Sequence, residues 1–155
     1  MPNAPTDRTK PLIPERIMQF AWGYAIPLAI EAAVRHRVFD VIDEAGGAPV
    51  SVARLAEKTG ASPRGLRMLL NMLASVELLE KRDPDAYALT PESATFLVTT
   101  KPSFQGGIFR HVSTQLLPKW MQLSEVVRTG KPAMPSTTRA TARSSSSSSS
   151  RTSSP

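Results

Sequence analysis

Cysteine is absent from this 155-residue chain, which excludes a disulfide framework, a thiol nucleophile and any thiolate metal site. Histidine is nearly absent. His36 and His111 are the only two, too few for a dedicated zinc site or a histidine relay unless carboxylates completed the set. Long apolar runs are missing as well: the longest uncharged apolar stretch, Phe20 to Ile30, has 11 residues and contains Gly23 and Pro27, whereas a bilayer span takes roughly 20. The opening MPNAPTDRTKPLIPER is polar and broken by four prolines, with no apolar segment of the kind a signal peptide needs. These absences point to a soluble, cytoplasmic protein with no membrane partner.

What is present divides unevenly along the chain. Residues 132–155 hold ten Ser, four Thr, three Pro and three Arg, a composition that cannot bury a core and predicts a disordered Ser/Arg-rich tail. Residues 1–14 read as a flexible N-terminus, leaving 15–131 as one domain of ordinary size. The net charge of +6 resembles a nucleic-acid signal until it is divided. All 13 acidic residues and 16 of the 19 basic ones precede the tail, so the folding part carries +3 and Arg139, Arg143 and Arg151 carry the other +3.

The periodicity predicts a mainly α domain. Glu15 to Trp22 starts a helix; Pro27 breaks or kinks the pattern before Leu28, Ile30, Ala33 and Val34 resume it. Val38 to Ala45 is a short helix stopped by Gly46 and Gly47, Pro49-Val50 a brief extended step, and Val52 to Gly60 another helix. Ser62-Pro63 is an N-cap followed by a first-turn proline, and Leu66, Leu69, Leu70 and Leu73 then fall on one face. Leu78–Arg82 and Tyr87–Thr90 read as a hairpin around Asp83-Pro84-Asp85. Two helices at a short turn followed by a hairpin make a winged helix-turn-helix. Thr90-Pro91 caps a further helix, and Ile108, Val112, Leu116, Trp120, Leu123 and Val127 trace a long kinked C-terminal helix through Pro118.

Few residues carry a chemical signal. None of the eight glycines forms G-x-G-x-x-G or follows a long apolar strand, so the turn that cradles a nucleotide or S-adenosylmethionine is not seen. Gly46-Gly47 reads as a helix stop and Gly106-Gly107 as a flexible helix start. His36, between two arginines, belongs to a solvated helix end. His111 is either a hydrogen-bonded packing residue or part of a small-molecule pocket. Arg64, Arg67 and Asn71 occupy the face on which a DNA-reading helix carries its contacts, so a winged-helix transcriptional regulator is the alternative function. Against it, Asp83 and Asp85 sit at the wing tip, where a DNA-binding wing meets phosphates.

The succession AIEAAVRHRVFDVIDEAGGAPVSVARLAEKTGASPRGLRMLLNMLASVELLEKRDPDAYALTPESATFL, followed by a helix with Trp120 and Leu123 ending in VVRTGKP, resembles the N-terminal dimerisation domain of S-adenosylmethionine-dependent small-molecule O-methyltransferases. The resemblance runs from about Glu15 to Pro132. It implies a homodimer with Ile17, Phe20, Trp22, Leu28, Ile108, Val112 and Leu116 at the interface, and a substrate pocket touched by Met18, Trp22, His111 and Trp120. It implies S-adenosylmethionine for the full-length family, held by a catalytic domain for which this chain shows no motif. No cofactor, metal or specific nucleic acid is expected for the chain itself, nor any catalytic residue. Acceptors would be hydroxylated aromatics, polyketides or carotenoids. The change to PAMPSTTRATARSSSSSSSRTSSP after VVRTGKP resembles a truncated or frame-shifted product; a genuine disordered tail is the other reading.

Overall fold

A computed structural model describes residues 13–133; the expected tail from 134 and the expected flexible residues 1–12 lie outside the described residues. The chain forms two compact units, one reaching to Leu117 and one from Pro118 onward. The first opens with α1 (Glu15–Trp22) and α2 (Ala25–Arg35). Between them the backbone tightens at Gly23, whose N–H reaches Phe20 at 3.4 Å. Pro27 is the cause: it has no N–H to give the Gly23 carbonyl, so regular winding cannot continue there. By length and composition Glu15–Arg35 could cross a membrane, a possibility the 11-residue apolar stretch did not suggest. Its second half, however, buries Ala29, Ile30 and Ala33 against the rest of the unit.

The elements α3 (Val38–Asp43), β1 (Val50–Ser51), α4 (Val52–Thr59), α5 (Pro63–Ser75), β2 (Leu79–Asp83) and β3 (Ala86–Leu89) follow. They build the expected winged helix-turn-helix. Ser51 and Ser62 cap α4 and α5 by accepting from Arg54 N–H and Gly65 N–H. Gly60 ends α4 at φ +69°, a left-handed conformation that glycine adopts without penalty. The sheet order is β1-β3-β2, all antiparallel, with Val50 opposite Tyr87 and Leu79 opposite Leu89. A bulge between Lys81 and Asp83 twists the wing. The extended step at Val50 is thus a third strand.

Leu66, Leu70 and Leu73 of α5, Phe39 of α3, Leu55 of α4 and Tyr87 of β3 are almost fully buried and form the core. Truncating one such leucine to alanine costs about 2–5 kcal/mol. Glu31, Ser93 and Asp40 are the buried polar residues, and Asp40 ties distant parts of the chain together. It is 3% exposed, and its Oδ1 accepts from the Thr99 N–H at 2.7 Å and the Thr99 hydroxyl at 2.9 Å, while Oδ2 accepts from Arg37 Nε at 3.3 Å.

α6 (Pro91–Phe96) begins with a capping box in which Thr90 and Ser93 exchange hydrogen bonds. The long C-terminal helix arrives in pieces: α7 (Gly107–His111), a π-helical turn (Val112–Leu116), α8 (Leu117–Trp120) and α9 (Leu123–Thr129). Pro118 has no N–H for the Thr114 carbonyl. The wider turn, in which the Leu117 N–H reaches Val112, accommodates that gap.

Candidate functional site

The apolar front of the chain divides at Gly23. On α1 nothing is buried: Ile17 is 68% exposed, Phe20 69%, Trp22 61% and Met18 47%. Met18 and Trp22 stand one turn apart and line a groove of about 460 Å³ with Glu15, Gln19, Gly23 and Ile26. The Arg16 guanidinium lies 5.8 Å from the centre of the Phe20 ring, within cation–π range. Leu28, Val112 and Leu116 are half-buried, whereas Ile108 is 54% exposed, because α2 packs against both α7 and the π-helical turn. His111 is exposed at the end of α7, and Trp120, in the second unit, is 63% exposed. Of the four expected pocket residues, Met18 and Trp22 share one groove; neither His111 nor Trp120 is among the residues lining it. His36 ends α2 in solvent, as its flanking arginines suggest.

The face of α5 that could read DNA is occupied. Arg67 makes a two-pronged ion pair with Asp85 of the wing, Nε to Oδ1 at 2.9 Å and a terminal nitrogen to Oδ2 at 2.7 Å. The hydrogen bond from Arg67 holds the Asp85 carboxyl below its ordinary range, and the same bond raises Arg67. Asn71 Oδ1 accepts from Lys81 Nζ at 2.9 Å and from the Tyr87 hydroxyl at 2.8 Å. Two of the three side chains that would meet bases or phosphates therefore point their polar atoms at the protein's own wing. A wing carboxylate already neutralises the central arginine, and phosphate contact would have to displace it.

S-adenosylmethionine finds no matching cradle among the described residues. The strands have two, five and four residues and are antiparallel; β1 runs straight into α4 through Ser51, and β3 into α6 through Thr90-Pro91, neither with a glycine turn. Gly106 is buried for a different reason than flexibility. A Cβ there would meet the Phe104 ring at 2.5 Å and Val34 at 3.1 Å, so the helix start is tight. Among the described residues no group of three or more His, Cys, Asp or Glu could hold a metal ion.

Sequence reasoning did not assemble a second cluster, formed by the Glu31–Arg35 pair, Thr99, Phe104 and Arg110 around a cavity of about 340 Å³. Only the i, i+4 spacing of Glu31 and Arg35 hinted at it.

Arg67 and Asn71 of α5 are thus bonded to the protein's own wing, while the apolar helix α1 is left uncovered. Residues 18–99, just over half of the chain, match the O-methyltransferase dimerisation domain, and the chain belongs to that family. It is 33% identical over 123 residues to the tetracenomycin polyketide synthesis 8-O-methyl transferase TcmO of Streptomyces glaucescens, a match covering 79% of this chain and 35% of that protein. It is 33% identical over 120 residues to acetylserotonin O-methyltransferase of Mus musculus, covering 74% and 30%. The chain thus spans about a third of the length of these curated relatives. The fold matches the crystal structure of human N-acetylserotonin methyltransferase in complex with SAM at a TM-score of 0.70 and 27% identity, over 81% of this chain and 37% of that one. The structure described as PigF with SAH matches at 0.69 and 27%, over 76% and 38%.

Proposed function

We propose that this chain is a homodimerisation and substrate-pocket module, in which α1 and the exposed part of α7 of one copy cover those of another. What carries the reading is α1: eight residues with Ile17, Phe20 and Trp22 each more than 60% exposed and none buried. Single small domains rarely leave so much contiguous apolar surface in water. Sedimentation at micromolar concentration tests it, with a dimer expected and a lone monomer overturning it.

Met18, Trp22, His111 and Trp120 would then form part of the wall against which a small hydroxylated aromatic, polyketide or carotenoid acceptor rests. The named relatives act on tetracenomycin polyketide and acetylserotonin, which supports aromatic and polyketide acceptors. Joined to a catalytic domain of the family, His111→Ala and Trp120→Ala variants should change acceptor specificity; unchanged specificity removes them from the wall.

The described residues are not expected to hold the methyl donor, a reading supported by the lack of a glycine turn after β1 and β3. Calorimetric titration of the chain with S-adenosylmethionine should give no saturable heat. The protein works in the cytoplasm, and its exposed α1 face meets a second copy rather than a lipid surface; flotation with neutral lipid vesicles would contradict this. Specific duplex binding is not expected, because Asp85 holds Arg67.

A further inference from the structure

The cavity between α2, the loop before α7 and α7 itself has walls that are fixed before any ligand arrives. Glu31, with its side chain only 10% exposed, accepts from Arg35 through Nε at 2.9 Å and a terminal nitrogen at 2.5 Å. Thr99 is held by the buried Asp40 carboxylate. The Phe104 ring sits where Gly106 leaves no room for a Cβ, and the Gln105 N–H is anchored on the Phe96 carbonyl at 2.8 Å. Arg110, on the same cavity, has no carboxylate within ion-pair distance among the described residues.

The charges around the cavity do not cancel. Two guanidiniums, Arg35 and Arg110, face one carboxylate, and Glu31 is already taken by Arg35. One positive charge is left, carried by a planar fork whose donors match the two oxygens of a carboxylate. Phe104 offers an aromatic edge or face beside it. The volume of about 340 Å³ lies at the small end of the range for ligand pockets, roughly 300–1,000 Å³.

We propose that this cavity is a binding site for a small planar aromatic carboxylate, with Arg110 pairing to the carboxylate and Phe104 packing on the ring. The site lies within one copy of the chain and does not depend on the dimer reading. Benzoate is the probe, titrated into the full chain and followed by backbone amide shifts, with neutral benzamide as its isostere. Saturable shifts centred on Thr99, Gly106, Gly107 and Arg110 are expected for benzoate and not for benzamide. Arg110→Met, a change on an exposed position that leaves the core untouched, should weaken benzoate about tenfold or more, whereas Arg64→Met should leave it unchanged. Equal responses to benzoate and benzamide, shifts scattered away from these residues, or full affinity in Arg110→Met would each overturn the proposal.

Discussion

α1 and α2 are adjacent in sequence, both carry large apolar residues and are separated only by the irregular turn at Gly23, yet they have opposite fates. α2 places Ala29, Ile30 and Ala33 in the core of its own unit, with Ala33 completely inaccessible. α1 places nothing there. The difference lies in what packs against each helix. The small alanines of α2 allow close approach to α3 and α5, while no residue of α1 is buried. Apolar composition therefore says that a helix must be covered, not which molecule covers it.

The comparison breaks most sharply with a buried charge. Ala33→Asp should abolish the folded state, since an uncompensated charge in a packed interior costs about 3–5 kcal/mol, a large part of the whole stability of a small domain; circular dichroism and urea titration would show it. Trp22→Asp should do something different. The monomer should keep its secondary structure and cooperative unfolding, but the dimer should be weakened by about 2 kcal/mol or more, as at interface hot spots, and sedimentation should shift to monomer. Phe20→Ala sharpens the contrast: in a dilute sample that is already monomeric, it should change unfolding stability by no more than about 0.5 kcal/mol. If it destabilises the monomer as a core truncation does, α1 is packed within its own copy.

The smallest effect concerns the wing. The folded Asp85 carboxyl lies below its ordinary value of 3.8, so the stabilisation from Arg67 is present in full above that value. It is lost as pH falls through the lower folded value. Wild type and Asp85→Asn should therefore differ slightly near neutrality and converge in acid below pH 3.8, which thermal melts across that window would detect. In mobility-shift assays the same substitution frees Arg67 and should raise non-specific duplex binding at low salt.

Local signals in this sequence are clear where the structure is local. Ser62-Pro63 and the Leu66-to-Leu73 stripe mark α5 from its cap onward, and Thr90-Pro91 does the same for α6, because capping and periodicity act within one or two turns. The hairpin follows from its turn residues. The third strand is harder to read: Val50-Ser51 is two residues long and becomes a strand only because β3 presents Tyr87 and Ala86 opposite it. Arg67 and Asp85 are each conspicuous in the sequence, but 18 positions apart nothing says that they pair. Pro118 announces a kink without specifying a π-helical turn. The cavity around Glu31 and Arg110 draws on α2, the loop before α7 and α7 itself, a convergence that no spacing rule encodes. The covering of α1 is illegible for a different reason, since in the proposed dimer its partner atoms would belong to another molecule.

Asp40 sets an order of events. Its carboxylate sits among core side chains early in the chain, but the hydroxyl and amide that satisfy it belong to Thr99, 59 residues later. Closing so long a loop carries an entropic penalty that local helix contacts do not. During synthesis, which delivers the N-terminal side first, α3 emerges with a carboxylate that has only Arg37 to answer it. The wing, α6 and the turn beyond must all be made before that charge can be buried with its full set of donors. A turn made only after the winged helix is complete is thus the part that lets its first helix settle.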